Sequence, residues 1–298
     1  MKTALIGYGQ MGRNHYRIIK ELGGFELVAV CDTAANIPVP ERVYNNVNDM
    51  LEHEDIQAAI ISVPTQAHKD VSLACIERGI NLLIEKPVAN NISEAEAIKQ
   101  AIDARGIKAA VGHVERFNPV VHQLLSELKD KEILSINITR VGPFPPRMSD
   151  VGILVDLSVH DIDLIRLISD FKNINDISIF KSVKLNATNT DNAILSFKLE
   201  NDIVACITTN WLTPYKKRTI EVATKEAYYE ANLMTQELVE YSSYQRNNAH
   251  LVRECFVRKR EPLFLELKAF ADYCKTGSRS YLATVEDSIY TLKTIQAL

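Results

Sequence analysis

Hydrophobic and polar positions follow two different patterns along the chain. Up to about residue 117, short apolar runs with the length of buried strands alternate with segments of helical spacing. Thr3 to Ile6, Gln57 to Val63 and Asn81 to Ile84 are three of the apolar runs, and Ala67 to Arg78 is one of the helical segments. Repeated strand–helix units predict a parallel sheet with helices on both faces, which is a doubly wound α/β domain.

Beyond residue 117 the pattern changes to short strands separated by turn residues. A helix is predicted from Asn118 to Lys131 and two more close the chain, from Leu263 to Lys275 and from Thr284 onward. The predicted strands include Ile177 to Leu185, Ala193 to Leu199, Ile203 to Trp211, Arg218 to Ala223 and Leu238 to Tyr241. The pattern indicates an α+β domain with an open, mainly antiparallel sheet. We therefore predict two domains, residues 1–117 and 118–298.

Composition limits the classes of function. The chain has 298 residues, of which 46% are hydrophobic and 24% charged, and its formal net charge is -4. Such a charge provides no basic field for nucleic acid or for an anionic membrane. Five scattered cysteines with no Cys-x-x-Cys pair favour a reduced cytoplasm over a disulfide framework or a zinc site, so no metal is expected. No signal peptide or long apolar run is present, which also favours a cytoplasmic protein.

A glycine-rich turn follows the first predicted strand. Gly7, Gly9 and Gly12 lie between this strand and a segment of helical spacing, and a second strand then ends at Asp32. Strand, glycine turn, helix and strand in this order are the context of a dinucleotide-binding loop, in which the helix N-terminus meets the pyrophosphate. Asp32 is placed to bind the adenosine ribose. Since Thr33 follows it and no basic residue awaits a 2′-phosphate, the expected cofactor is NAD.

Several polar residues come directly after predicted strands. Pro64 and Thr65 follow one strand, Lys86 the next and His113 another. Ligands of doubly wound sheets bind at the carboxyl ends of the strands, so these residues are expected at one edge.

The helix predicted from Ile153 to Ser169 is apolar at almost every angle, yet it carries Asp156, His160 and Asp163 along one face. Burying such groups without partners is costly. Two interpretations stay open: this face lines a cavity, or Asp156 and His160 satisfy each other inside the core.

Taken together, these motifs resemble the Gfo/Idh/MocA oxidoreductases. The resemblance rests on the glycine loop, the Glu85-Lys86-Pro87 tripeptide, and Asp156 followed four residues later by His160. Ser158 stands where the family's usual pattern has glycine. The resemblance implies a Rossmann domain, NAD or NADP, redox chemistry on a sugar or polyol hydroxyl, and homodimers or homotetramers packed through the second sheet. The predicted cofactor-binding residues are Gly7, Gly9, Gln10, Met11, Gly12, Asp32, Thr33, Pro64, Thr65, His68, Glu85 and Lys86.

Three loop segments are similar to one subgroup of this family, which oxidises the C3 hydroxyl of UDP-N-acetylglucosamine. They are Gly112 to Pro119, Gly142 to Arg147 and Trp211 to Pro214. The predicted substrate-binding residues are Arg116, Asn118, Arg147, His160 and Trp211. Two of them have a purely structural alternative: Arg116 pairs with a neighbouring acid, and Trp211 packs against the sheet.

The chemistry assigns roles to three predicted catalytic residues. Oxidation of a carbinol needs a base for the hydroxyl proton, and His160 is a natural candidate because imidazole titrates near neutrality. The cation of Lys86 stabilises a developing alkoxide. Asp156 orients His160 or binds the hydroxyl, and family members differ on whether Lys or His takes the proton.

Three alternative functions have different requirements. A dehydrogenase of a free sugar or a polyol such as inositol needs the same catalytic residues. An NAD-binding regulator without activity leaves Lys86 and His160 unexplained. A metal-dependent hydrolase leaves the glycine loop unexplained and lacks clustered ligands.

Overall fold

A computed structural model describes residues 1–34, 37–145, 152–185, 189–243 and 249–298. The chain separates into two compact units. The first comprises residues 1–117 and 261–293, and the second comprises residues 118–260 and 294–298.

The first unit is built on a six-stranded parallel sheet in the order β3-β2-β1-β4-β5-β6. Its strands are β1 (Lys2–Ile6), β2 (Glu26–Cys31), β3 (Arg42–Tyr44), β4 (Ala58–Ile61), β5 (Asn81–Glu85) and β6 (Ala109–Gly112). Its first four helices are α1 (Gln10–Glu21), α2 (Val47–His53), α3 (His68–Glu77) and α4 (Ile92–Arg105). The strand order reverses at β1, and the loop after β1 lies at that switch point, where doubly wound sheets bind ligands.

The central strands of this sheet are apolar on both faces. Every residue of β4 is fully buried, and two separate hydrophobic clusters cover the sheet. Continuous apolar strands are typical of parallel sheets, because helices pack on both sides.

The second unit holds an eight-stranded mixed sheet in the order β14-β13-β12-β11-β7-β10-β9-β8. Its strands are β7 (Ile133–Pro143), β8 (Ile174–Ser182), β9 (Asn192–Leu199), β10 (Val204–Asn210), β11 (Leu212–Thr224), β12 (Ala227–Asn232), β13 (Glu237–Ser243) and β14 (His250–Cys255). All neighbouring pairs are antiparallel except β7 with β10.

One face of this second sheet forms the core of its unit. Alternate residues of β9 are buried, and the same hydrophobic cluster includes residues of α5 (Pro119–Leu128) and α6 (Val159–Ile168). Period-two alternation of this kind is expected for a sheet covered on one side only. The predicted fold class is therefore confirmed.

The structure differs from the predicted domain division in one respect. The break after residue 117 is where the pattern changed, but residues 261–293 return to the first unit. They contain α7 (Pro262–Thr276) and most of α8 (Val285–Gln296). Leu267 and Phe270 of α7 are completely buried in the hydrophobic cluster that also contains Leu5 and Ile18. Burial of this apolar stripe explains why the segment joins a sheet so distant in sequence.

No helix in the described part of the chain combines the length and the apolar composition that crossing a lipid bilayer requires.

Candidate active site

The glycine loop is shaped by close packing between β1 and β4. Gly7 has φ of 96°, and a Cβ added there would lie 2.5 Å from the carbonyl carbon of Ser62. Gly7 is therefore required both by its backbone conformation and by the neighbouring strand end. A Cβ at Gly9 would meet nothing within 4 Å. The loop is thus tight on the side of the sheet and open at Gly9, as a loop that accommodates a pyrophosphate must be.

The N-terminus of α1 is available for an anion. The N-cap residue is Gly9, which has no side chain to accept a hydrogen bond from the first turn. Gly9 and Gln10 are exposed, and Met11 is half-buried. Free amides and the helix dipole favour a phosphate group at this end. The first unit therefore fits the phosphates of a dinucleotide.

Asp32 directly follows β2 at the same carboxyl edge. Its Oδ2 accepts a hydrogen bond from the Tyr8 amide at 2.5 Å, and its Oδ1 accepts one from the Ala34 amide at 2.9 Å. These two bonds hold the carboxylate against the glycine loop, where a ribose hydroxyl would donate to it. Thr33 beside it is exposed.

Lys86 lies at the carboxyl end of β5, two strands from the glycine loop. Its main-chain amide donates to Glu85 Oε2 at 3.2 Å, and Glu85 Oε1 lies 2.7 Å from His15 Nε2. Burial raises the pKa of Glu85, but the hydrogen bond and charge of His15, followed by the charge of Lys86, outweigh it and lower the net pKa. Glu85 is therefore a buried, ionised support for the Lys86 segment.

His68 connects the ends of β4 and β5. Its Nδ1 lies 2.9 Å from the Pro87 carbonyl oxygen, and its Nε2 lies 2.9 Å from that of Val63. Burial lowers the pKa of His68, although the two carbonyls oppose this. With only 1% of its surface exposed, His68 holds together the two loops that follow β4 and β5. The neighbouring Pro64 is exposed and Thr65 is half-buried.

The second unit carries the polar face of the predicted buried helix. The segment opens with a π-helical turn, Leu154–Ser158, and continues as α6. Asp156 is half-buried within the π turn, whereas His160 and Asp163 of α6 are 9% and 2% exposed. The predicted single α-helix is thus corrected to two helical forms, and π turns are frequent at functional sites.

A buried ion pair fixes α6 to the second sheet. Arg140 of β7 and Asp161 of α6 are 2% and 0% exposed, and Arg140 Nε donates to Asp161 Oδ1 at 2.7 Å. Since Asp161 directly follows His160, this pair restricts the rotation and the position of the helix that carries the imidazole.

Three predicted substrate contacts, Arg116, Asn118 and Trp211, are buried in the structure. Arg116 is 2% exposed and lies 3.2 Å from Asp287. Asn118 caps α5 and donates to the Leu233 carbonyl at 3.0 Å. The ring of Trp211, 3% exposed, packs edge-on against Phe144 with centroids 5.6 Å apart. Each of these side chains makes a structural contact, and at most 3% of its surface is exposed. The fourth predicted contact, Arg147, lies outside the described residues.

Sequence reasoning missed two buried titratable residues of the first unit. His15 and Glu266 are both 0% exposed. One signal was available for each: His15 is on the apolar face of α1, and Glu266 interrupts the apolar stripe formed by Leu263, Leu267 and Phe270.

A separate cluster of Glu127, Glu240 and Cys255 in the second unit has the donor types of a metal site. The guanidinium of Arg253 lies between the two carboxylates, with Nη2 at 2.6 Å from Glu127 and Nε at 2.7 Å from Glu240. A cation of the protein itself therefore neutralises this cluster.

Comparison with family models matches both parts of the chain to one family. Residues 1–113 match the oxidoreductase family with an NAD-binding Rossmann fold, and residues 132–230 match the GFO/IDH/MocA C-terminal domain. The cofactor prediction, NAD, is thus confirmed at the level of the family.

Among curated proteins, UDP-N-acetylglucosamine 3-dehydrogenase of Acidithiobacillus ferrooxidans is 31% identical over 175 residues, which cover 57% of this chain and 54% of that protein. The chain thus spans about half the length of this relative. scyllo-Inositol 2-dehydrogenase (NAD(+)) of Bacillus subtilis is 22% identical, with 97% of this chain and 90% of that protein covered.

Solved structures share the fold over the whole chain. The 3-dehydrogenase GnnA from Acidithiobacillus ferrooxidans superposes with a TM-score of 0.91 at 22% identity, covering 100% of this chain and 96% of that one. GenD2 from gentamicin A biosynthesis, in complex with NAD, gives 0.84 at 18% identity, covering 100% and 92%. At these identities the superpositions show the fold alone.

Proposed function

The chain belongs to the GFO/IDH/MocA oxidoreductase family, and from this premise we propose that it is an NAD-dependent dehydrogenase. The proposed reaction oxidises a sugar hydroxyl to a ketone, at C3 of a UDP-N-acetylhexosamine. The observation that carries the proposal is the position of Lys86. It follows β5 at the carboxyl edge of the sheet that also holds the open glycine loop and Asp32. Similarity to a UDP-N-acetylglucosamine 3-dehydrogenase supports the choice of substrate.

Different residues of the chain have different roles in the proposed reaction. The chemistry that bound NAD supplies is acceptance of a hydride from the carbon that bears the hydroxyl. Gly9, the first turn of α1 and Asp32 bind and orient the dinucleotide. The hydroxyl proton passes to the amine of Lys86 or to the imidazole of His160. A protonated Lys86 stabilises the alkoxide as it forms, and Asp156 orients His160 or the hydroxyl.

An assay that follows the absorbance of NADH tests the proposed substrate. We expect NADH to form when UDP-N-acetylglucosamine and NAD are added, with a higher kcat/KM than for inositol or glucose. Because the equilibrium of alcohol oxidation by NAD hides product, a hydrazine that traps the ketone is included in every reaction. If inositol or free glucose gives the higher kcat/KM, the nucleotide-sugar assignment is wrong.

A polyol dehydrogenase is the second candidate function. It is favoured by one observation, the similarity to scyllo-inositol 2-dehydrogenase along 97% of the chain. The same panel of sugars decides between the two candidates. Bound NAD with no turnover of any sugar would instead indicate a regulator without activity.

The preference for NAD over NADP rests on Asp32. Its carboxylate is fixed by two amides beside the ribose position, and a 2′-phosphate there would meet this negative charge. Repeating the assay with NADP is therefore expected to give a much lower kcat/KM for the coenzyme.

We also propose that the chain forms a homodimer or homotetramer through the uncovered face of the second sheet. Phe180 of β8 and Ile194 of β9 are directly paired, and 78% and 47% of their surfaces are exposed. Val204 on β10 is 54% exposed. Exposed apolar side chains on neighbouring strands of one sheet are typical of interaction surfaces.

Light scattering after size exclusion tests this surface. The wild type is expected to have the mass of two or four chains, and a Phe180→Asp, Ile194→Asp variant the mass of one. The control is Phe256→Asp, since Phe256 is 83% exposed but lies beyond β14 at the opposite edge of the sheet. A monomeric wild type would disprove the proposal.

A further inference from the structure

Three buried titratable side chains from three different elements interact next to Lys86: His15 hydrogen-bonds to Glu85, and Glu85 acts on Glu266 through its charge. His15 belongs to α1, Glu85 to the end of β5 and Glu266 to α7. His15 and Glu266 are 0% exposed and Glu85 is 8% exposed. A buried charge is stable only with partners, so this cluster has to distribute its protons in a defined way.

The carboxylate of Glu85 is held from two sides. Oε1 receives the hydrogen bond of His15, and Oε2 receives that of the Lys86 amide. Gly112 of β6 lies opposite Glu85 in the sheet, and a Cβ there would be 3.2 Å from the carboxyl carbon. Glu85 therefore has little room to rotate, and the direction of its carboxylate is set by His15.

Glu266 differs from Glu85 in its hydrogen bonding and in the direction of its pKa shift. Neither of its oxygens has a hydrogen-bond partner among the residues that the structure describes. Burial, and then the charge of Glu85, raise its pKa well above the usual value, although Arg116 opposes this. A carboxylate without donors is far more costly to bury than a neutral acid, so Glu266 is protonated. The two carboxyl groups consequently share one negative charge, and it resides on Glu85.

We propose that His15 is a positioning residue for Lys86: it keeps the shared negative charge on Glu85, and Glu85 in turn fixes the main chain of Lys86. The proposal rests on the proposed function only in that Lys86 is the catalytic residue being positioned. The geometry of the cluster itself does not depend on the identity of the substrate.

The direct test follows the Lys86 amide without any substrate. His15→Leu removes the donor to Glu85, and His15→Gln restores an N–H donor at a similar reach. Hydrogen–deuterium exchange of the peptide covering residues 82–90 is expected to become about tenfold faster in His15→Leu. We expect near wild-type exchange in His15→Gln. Ser72→Ala, which alters another fully buried polar side chain of the first unit, is the matched control.

Activity provides the second readout. In His15→Leu, kcat is expected to fall by about tenfold or more, because misplacing a reacting group is costly, while the Kd for NADH changes little. Thermal unfolding of each variant shows whether it is folded. If exchange at residues 82–90 is unchanged in a folded His15→Leu protein, the positioning role is wrong. If no variant or wild-type protein turns over a sugar, the proposed function fails, but the exchange result still decides the role of His15.

A pH profile separates positioning from general destabilisation. The charged groups around Glu85 are His15 of α1, His68 of α3, Glu266 of α7 and Lys86, with Arg116 beyond Glu266. Without His15, the strongest influence that lowers the pKa of Glu85 is lost and burial raises this pKa, so a smaller fraction of the acid is ionised at a given pH and this fraction grows as the pH rises. The kcat of His15→Leu relative to wild type should therefore increase with pH. A constant ratio across the pH range would contradict the role given to Glu85.

Glu266→Gln tests through thermal stability whether Glu266 is protonated in the folded protein. An acid whose pKa is raised in the folded state contributes stability that is complete below its unfolded pKa and is lost as the pH rises. Glutamine removes this loss, so Glu266→Gln should increase the Tm more at pH 8 than at pH 5, by about 3 °C or more. A Tm difference that is equal at both pH values would show that Glu266 does not hold a proton.

Discussion

Lys86→Ala is expected to lower kcat for sugar oxidation by about a hundredfold or more. The side chain follows β5 at the carboxyl edge, and it is the cation that this segment offers to a developing alkoxide. Binding of NADH, measured by its fluorescence, should change little, because Gly9, α1 and Asp32 make up the rest of the dinucleotide site. The loss should therefore appear in kcat rather than in coenzyme affinity.

The matched control is Lys2→Ala. Lys2 begins β1 at the amino edge of the same sheet, where it pairs with Asp55 at 3.0 Å on the surface. Its replacement should leave kcat unchanged. Added methylamine should partly restore Lys86→Ala if the lysine amine takes the proton, whereas Lys86→Arg should retain charge stabilisation alone. Near-normal turnover in Lys86→Ala would remove Lys86 from the mechanism.

His160→Ala is expected to produce a loss in kcat of similar size, about a hundredfold. His160 is buried on α6, one helical turn after Asp156, and Arg140 with Asp161 holds this helix on the sheet. An imidazole fixed in this way is suited to accept a proton or to bind the reacting hydroxyl. The measurement is single-turnover formation of NADH, which separates the chemical step from product release.

Two comparisons make the result for His160 specific. His250→Ala changes an exposed histidine of the same unit on β14 and should have no effect on kcat. In a double-mutant cycle, Asp156→Asn should cost much less in the absence of His160 than in its presence, because the two act as a unit. Additive losses would show that Asp156 acts independently of the imidazole.

The first unit was largely predictable because its signals are local. Alternating apolar runs predicted the parallel strands, and the residues that follow them, from Gly7 to Lys86, lie at the expected edge. The short strand Arg42–Tyr44 was missed, since three residues carry no period. The return of residues 261–293 was also missed, because an apolar helical stripe does not indicate which sheet it will cover.

In the second unit, hydrophobic periodicity failed to predict two strands and a π-helical turn. The strands Ala227–Asn232 and His250–Cys255 were not predicted. The latter is exposed along almost all its length, so it lacks the apolar alternation of a covered strand. The π turn at Leu154–Ser158 was not predicted for another reason. Because the helix is apolar on most sides, its sequence pattern does not distinguish an α-helical from a π-helical turn.

The candidate site was predicted unevenly for a physical reason. Motif residues such as Gly7 and Asp32 were predictable because they belong to one short run of strand, glycine turn, helix and strand. The hydrogen-bond partner of Glu85 is residue 15, the acid whose pKa Glu85 raises is residue 266, and the partner of Arg116 is residue 287. Such pairings arise only when the chain folds, so the local sequence did not indicate that Arg116 pairs with Asp287 or that His15 and Glu85 meet.

The division of the first unit into two stretches of sequence has a consequence for how the protein is made. Its core includes Leu267, Phe270 and Leu292, which are synthesised only after the whole of residues 118–260. The nascent amino-terminal part therefore carries uncovered apolar surface throughout synthesis of the middle of the chain. Chaperones that shield such surface are expected to bind the nascent chain while residues 118–260 are being synthesised.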